Sequence, residues 1–450
     1  MNDSRRAQHV RRRRSVHPGG GSATVAGRLV DTSTPVLIVK LGRYPLHHGG
    51  VGAIRSLGRL GVPVFAITED RFTPAAVSRY LSGHVPWPTT GLEDPQALVD
   101  GLLRIGRDIG RPAVLLPTDD EAAVLLAERA DDLAGAFLYP RAADPGLARR
   151  VADKYGLHEL CQKHEVPDAD AVCPRSPAEV EDFARTARFP VVAKNREPFG
   201  RLRAPAVGST TVVESPDQLL RLAARWPDDP GVLLQEYLPR EHAEDWIVHG
   251  YLGSTSTPEV LFTGVKVRSW PPHAGITTSA VVVDNAELAA LAADFAAQIG
   301  YRGILDLDWR YDRRDGRYKL LDFNPRVGAQ FRLFETRGGV DVVRAQYLDL
   351  TGQPVPAGEQ VEGRRFVAEN FDLPARLGYG RQPRTLPPLP RRRAGTELAW
   401  FARDDLRPWL AMGARMVPVI VRRLLDTGRR RLAVRREAAA PSTRDLTQAL

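Results

Sequence analysis

Lysine is nearly missing from this sequence: six residues, at positions 40, 154, 163, 194, 266 and 319, stand against 57 arginines. Arginine therefore fills the generic surface cation positions, and a lysine ending an apolar strand asks for a specific reason. Cysteine is scarcer still. Cys161 and Cys173 have no paired spacing and no histidine constellation beside them, which excludes a disulfide scaffold and a thiolate zinc site and fits a reducing, cytoplasmic setting. No apolar run reaches the ~18 residues that a membrane-spanning helix needs. The arginine-rich start is not followed by the apolar stretch of a secretory signal, so none is expected.

Net positive charge is also missing from the body of the chain, although the total is +9. Residues 1–33 hold seven arginines against two aspartates, and residues 407–450 hold ten arginines against three acids. The excess lies in the tails and the body between them is slightly acidic, which argues against a fold that reads nucleic acid. The apolar and arginine-rich stretch from Pro408 to Arg436 suits two roles: a helix docked on its own domain, or a peripheral contact with the inner face of an anionic membrane. What is present is ordinary globular composition, 43% apolar and 26% charged over 450 residues, enough for two or three domains.

Residues 1–33 show no periodicity and read as a disordered basic arm. From 34 to 140, apolar runs at Val36–Val39, Val62–Ile67 and Ala113–Leu116 alternate with helical patterns such as Val51, Ile54, Leu57 and Leu60, which predicts a small doubly wound α/β sheet. From 141 to 353 the pattern becomes α+β. Helices are expected near 147–164, 177–188 and 286–299, with strands near 190–194, 207–213, 232–236, 246–251 and 259–266, and a hairpin joins Gly303–Trp309 to Tyr318–Phe323 through Asp315-Gly316. A Pro- and Arg-rich strap over 354–406 and a basic helical tail over 407–450 complete the chain.

The hairpin carries the densest chemistry. Strand alternation puts Asp306 and Asp308 on one face, and Asp322 and Asn324 share a face on the partner strand. Paired in the register the turn suggests, three carboxylates and an amide oxygen converge with no cation among them. A hard ion such as Mg²⁺, whose usual role is to bridge nucleotide phosphates, would relieve that repulsion; alternation of exposed acids with core residues on a half-solvated sheet also describes the pattern. Lys194 ends the Val191-Val192-Ala193 run and needs an anion, either a phosphate or a neighbouring carboxylate. Gly208-Ser209-Thr210-Thr211 could cover phosphates with backbone N–H groups or form an ordinary turn. In the first domain, His47-His48-Gly49-Gly50 opens a helix at the carboxyl end of the sheet, where such folds bind ligands. Thr118-Asp119-Asp120-Glu121 reads as a capping box with a secondary role toward a substrate amine.

Taken in order, Lys154, Pro190-Val-Val-Ala-Lys194, Gln235-Glu-Tyr-Leu-Pro239, Phe262-Thr-Gly-Val-Lys-Val-Arg268, Asp308-Trp309 and Asp322-Phe-Asn-Pro-Arg326 resemble the ATP-grasp superfamily over about residues 34–350. Within it the chain resembles the carboxylate-amine ligases akin to D-aspartate ligase and, more distantly, biotin carboxylase. The resemblance implies a pre-ATP-grasp domain followed by a two-subdomain ATP-grasp domain with its nucleotide hinge near 235–239. It implies that Lys154 and Lys194 contact the α- and β-phosphates of ATP, with Ser209, Gln235 and Lys266 also on the nucleotide. Glu236, Tyr237 and Leu238 would line the adenine pocket, and Glu244 or Asp245 would hold the ribose. Asp308, Asp322 and Asn324 match the metal positions, for two Mg²⁺ ions or Mn²⁺, with Asp306 an addition; Arg326 and Arg268 would steady the transferring phosphoryl group. Asp322 departs from the pattern, since many members carry Glu there. Two functions stay open on the sequence: an ATP-dependent ligase joining an amino-acid-like carboxylate to an amine through an acyl phosphate, or an ATP-binding regulator held at a membrane or polyanion by its tails.

Overall fold

The protein is described here by a computed structural model covering residues 10–12, 24–197, 205–208, 210–272, 275–380 and 385–418. The apolar runs of the first domain become parallel strands: Val36–Val39 lies between Val64–Thr68 and Ala113–Pro117, with Gly83–Pro86 and Phe137–Leu138 outside them. Successive residues feed opposite cores. Val36, Ile38, Val64 and Ala66 pack with Val51, Ile54 and Leu57 of the His48–Gly58 helix. Leu37, Val39, Phe65 and Ile67 pack with Leu98, Val99 and Leu102 of the Pro95–Ile109 helix. Both faces are covered, as the unbroken apolar runs require.

Parts of the expected disordered arm are ordered. Arg11–Arg12 pairs antiparallel with Gly83–His84 at the sheet edge, and Thr24–Val25 pairs with Arg28–Leu29, burying Val25 in the core. Edge pairing uses backbone groups, so polar side chains do not prevent it. The helix expected over 147–164 is two helices, Leu147–Ala152 and Lys154–Lys163, broken at Asp153. Asp153 is extended and accepts a hydrogen bond from Gly156 N at 2.7 Å, capping the second helix. Lys154 therefore starts a helix instead of lying inside one.

The second domain contains two sheets, antiparallel throughout except for the last pair of the larger one. Thr211–Val213, Val191–Asn195, Val232–Glu236 and Ala171–Val172 form the smaller one. The larger runs Arg317–Asn324, Gly303–Asp312, Ala243–Leu252, Pro258–Trp270, Ile276–Val282, Arg365–Val367 and Thr396–Leu398. Its last two strands come from the expected strap, which is thus part of the body; the helix Glu369–Tyr379 lies between them. Proline and arginine made this stretch look extended, but three-residue strands need little apolar sequence when they join an existing sheet.

The strap ends in a buried clamp. Arg55, fully buried, donates to Asp405 Oδ2 (3.0 Å), Asp405 O (2.8 Å) and Trp400 O (2.7 Å), while Asp405 also accepts from Ser78 Oγ (2.7 Å) and Arg79 N (2.9 Å). Residues 407–418 continue as helix on the first domain, with Met412 in the core and Arg415 paired to Asp70 at 2.6 Å. The expected docking holds for these residues, and the remainder of the tail lies outside the described residues. Among the described residues no helix is long and apolar enough to cross a membrane. Arg55→Ala would strand the Asp405 carboxylate in the interior, so denaturant unfolding should show a loss of about 3–5 kcal/mol.

Candidate active site

The hairpin forms in the expected register: Asp308 faces Asp322 and Asp306 faces Asn324. A bulge after Asp308 sets Trp309 opposite Leu320, leaving Leu321 as the extra residue. Leu305, Leu307 and Trp309 point into the core on the other face. The neighbouring strand adds to the acidic face, because Asp245, Ile247 and His249 stand opposite Arg310, Asp308 and Asp306.

The expectation that no cation lies among these acids is overturned. Lys266 pairs with Asp308 at 2.6 Å, Lys154 pairs with Asp322, and Arg326 pairs with Asp306 at 2.9 Å, where His249 also contacts Asp306 at 2.9 Å. Alternation within a hairpin could not show this, since each cation arrives from a different element. Burial raises the Asp322 pKa, but Lys154, Lys194 and Lys266 outweigh it and hold the carboxyl below its usual range. Burial together with Asp306 and Asp322 pushes Asp308 up, against Lys266. Burial, Lys154 and Arg310 push the half-buried Lys194 ammonium below the usual lysine value, with Asp322 opposing. Five charged groups, Asp308, Asp322, Lys154, Lys194 and Lys266, thus balance one another here.

A cavity of about 140 Å³ opens between the two sheets and is lined by Lys194, Thr210, Gln235, Glu236, Leu238, Asp245, Lys266, Arg310, Asp308 and Asp322, among others. Most of the expected site residues therefore meet. Lys154 joins through Asp322. Tyr237 and Arg326 do not line the cavity. Asn324 donates its amide N–H to Asp306 O at 3.0 Å, which leaves its side-chain oxygen as the group available on the acidic face. Ser209 lies outside the described residues. Of the two ribose candidates, only Asp245 lines the cavity, paired with Arg310 at 2.6 Å. Glu244 is buried away from it, accepting from Trp246 Nε1 (3.0 Å) and Arg313 (2.6 Å). Arg268 also stands apart: it is bound in a fork to Asp372 of the Glu369–Tyr379 helix at 2.7 and 3.1 Å. The Glu236 N–H already donates to Asp170 O (2.8 Å), whereas the Leu238 N–H has no partner among the described residues. His249 and Arg310 were missed from the sequence, although each lies at even spacing from a recognised acid, Asp245 or Asp308, on its own strand.

Among the described residues no group of three His, Cys, Asp or Glu side chains could hold a metal ion by itself. Two opposed carboxylates and an amide oxygen nevertheless suit Mg²⁺, which typically takes one or two carboxylates and completes its shell with water and phosphate oxygens.

No family model matches the chain. It is 21% identical over 293 residues to a D-aspartate ligase of Enterococcus faecium (strain Aus0004), covering 62% of this chain and 68% of that protein. Among solved structures it is similar to the biotin carboxylase domain of Hydrogenobacter thermophilus 2-oxoglutarate carboxylase with MgADP, ADP and bicarbonate, with a TM-score of 0.52, 17% identity and coverage of 72% and 71% of the two chains. The N5-carboxyaminoimidazole synthetase of Staphylococcus aureus complexed with ADP gives a TM-score of 0.55 at 11% identity, covering 74% of this chain and 81% of that one. The chain has the ATP-grasp fold. The cavity lies between the two sheets of that fold.

Asp306 is the buried anchor of this cleft. Burial raises its pKa, but His249, Arg326 and Lys266 outweigh it and hold the carboxyl far below its usual value. Asp306→Ala should cost about 3–5 kcal/mol in denaturant unfolding at neutral pH. Because the folded pKa is depressed, this contribution is present above the unfolded value of about 4 and is lost as pH falls through the folded value. The stability gap between wild type and variant should therefore shrink below about pH 4.

Proposed function

We propose that this ATP-grasp chain is an ATP-dependent carboxylate-amine ligase that forms an amide or peptide bond and releases ADP and phosphate. The observation that carries the reading is the convergence of Lys154, Lys194 and Lys266 on Asp308 and Asp322 in one cleft. A chain with only six lysines spends three of them here. The similarity to a D-aspartate ligase supports an amino-acid-like acid as one substrate.

In this reading Lys154 and Lys194 turn from Asp322 to the α- and β-phosphates, and Lys266 turns from Asp308 toward the γ-phosphate. The Leu238 N–H and the backbone around Glu236 and Tyr237 take the adenine, beside Gln235, and Asp245 takes the ribose. Asp308, Asp322 and Asn324 would hold Mg²⁺, which when bound neutralises phosphate charge. Arg326, reaching Asp120 of the first domain at 3.1 Å and Asp306 at 2.9 Å, stands where the nucleotide domain meets the pre-ATP-grasp sheet and steadies the acyl group. Arg268 is assigned a supporting place through Asp372 and no contact with the phosphoryl group. A carboxylate oxygen attacks the γ-phosphorus and ADP leaves; the amine then attacks the acyl carbon, phosphate leaves, and the amine gives up a proton. Fixed charges around this path supply most of the catalysis. The reading keeps the enzyme in the cytoplasm, where its two free thiols, Cys161 and Cys173, stay reduced.

The test is ADP release across a panel of amino acids and amines. Lys194→Ala and Asp322→Ala should each lower turnover by about 100-fold or more; undiminished turnover in both would overturn the site assignment, and ATP binding without turnover would favour a regulator. Charge balance predicts a second effect. Asp322→Asn leaves three lysines less compensated, so calorimetry should show about tenfold tighter binding of metal-free ADP, worth about 1.4 kcal/mol, together with loss of the Mg²⁺ enhancement.

A further inference from the structure

The helix over residues 407–418 is apolar on both sides. Its inner side docks on the first domain through the buried Pro408 and Met412, and Arg415 donates to Asp70 at 2.6 Å. A docked helix ordinarily turns charged and polar side chains to water. Here the exposed positions are Leu406, just before the helix, and Trp409, Leu410, Gly413, Ala414 and Val417 within it, at the i, i+3, i+4, i+7, i+8 and i+11 spacing of one face. Leu410 and Val417 are 59% and 57% exposed, and Trp409, whose ring meets that of Phe401 edge-on at 5.8 Å, is 39% exposed. Phe72 is 61% exposed and lies beside this helix, its carbonyl accepting from Arg415 Nε at 3.4 Å.

The charge around this strip is positive. Arg71, Arg403 and Arg407 are exposed, and Arg71 lies over the Phe72 ring at 4.6 Å. The flanking acids are already paired, Asp70 with Arg415 and Asp404 with Arg59 at 2.9 Å. Beyond Val417 the sequence Val419-Ile420-Val421-Arg422-Arg423-Leu424-Leu425 keeps the same two components, and residues 407–450 hold ten arginines against three acids.

Size and charge select the cover. One face of this helix measures about 18 Å by 10 Å, about 180 Å², well below the roughly 800 Å² that each partner contributes to a stable protein interface. A second copy would also set arginine against arginine. A bilayer with acidic headgroups requires no complementary shape: its acyl boundary takes the apolar side chains, its headgroup level suits an indole, and its phosphates suit the arginines. We infer that the outer face of the 407–418 helix docks on an anionic membrane surface, with Leu406, Trp409, Leu410 and Val417 entering the headgroup–acyl boundary and the arginines around them meeting lipid phosphates. The inference goes beyond the ligase reading and does not depend on it.

The test is co-sedimentation of the full chain with phosphatidylcholine vesicles, with and without phosphatidylglycerol. Wild type should bind the mixed vesicles at least about tenfold more tightly than the neutral ones. Leu410→Gln combined with Val417→Gln removes apolar surface without changing charge. It should weaken binding to the mixed vesicles at least about tenfold, with the melting temperature unchanged. No binding by wild type, or equal binding to both vesicles, would overturn the inference. Undiminished binding by the variant would do so too, because the arginines alone would then hold the chain. A wild-type dimer in sedimentation velocity that the variant abolishes would assign the face to a second copy and overturn it as well. Should the variant fail to fold, wild type carries the test: vesicles with brominated acyl chains should quench its tryptophan emission, and unquenched emission from bound protein refutes the inference.

Discussion

Two carboxylates forced opposite each other, Asp308 and Asp322, are the constraint on which the cleft depends. Hairpin register places them together, and burial makes that proximity costly unless cations compensate. Compensation comes from Lys266 two strands away in the same sheet, Lys154 at the start of a helix and Lys194 on the smaller sheet. The same charges that satisfy the acids also tie the two sheets across the cavity. In the proposed reading, a nucleotide entering with a metal ion would exchange these partners without leaving any of the five groups bare.

A second layer of charge joins this cleft to the first domain. Arg326 spans Asp306 and Asp120, and Asp306 is held in turn by His249. The junction is tight: a Cβ on Gly49 would lie 3.1 Å from Ala329 Cα, and one on Gly328 would lie 2.7 Å from Asp306 Cγ. The Arg55–Asp405 clamp then wraps the chain from the far end of the large sheet back onto the His48–Gly58 helix. The two domains also share one apolar core, to which Val51, Ile54 and Leu57 belong together with Phe331, Phe334 and Tyr347, and the buried ion pairs add directional contacts to it.

Much of the architecture was legible from local pattern. Unbroken apolar runs such as Val36–Val39 marked buried parallel strands, and even spacing around Asp308 and Asp322 marked a shared face. The errors had local causes as well. The single helix expected over 147–164 continued through Asp153 because helical periodicity does not register an extended cap. The Pro- and Arg-rich segment looked like a strap because its strands, Arg365–Val367 and Thr396–Leu398, are three residues each and owe their stability to a sheet already formed.

The sequence by itself determined the α/β order of the elements, the hairpin acids and the importance of a few lysines, because each depends on spacing along one stretch of chain or on residue counts. Only the tertiary structure decided which partner each charge has. It set Asp245 in the cavity and Glu244 outside it, and bound Arg268 to Asp372. Those outcomes depend on contacts between residues far apart in the chain, and a charge's role is settled by its nearest counter-charge in space, which linear spacing does not contain.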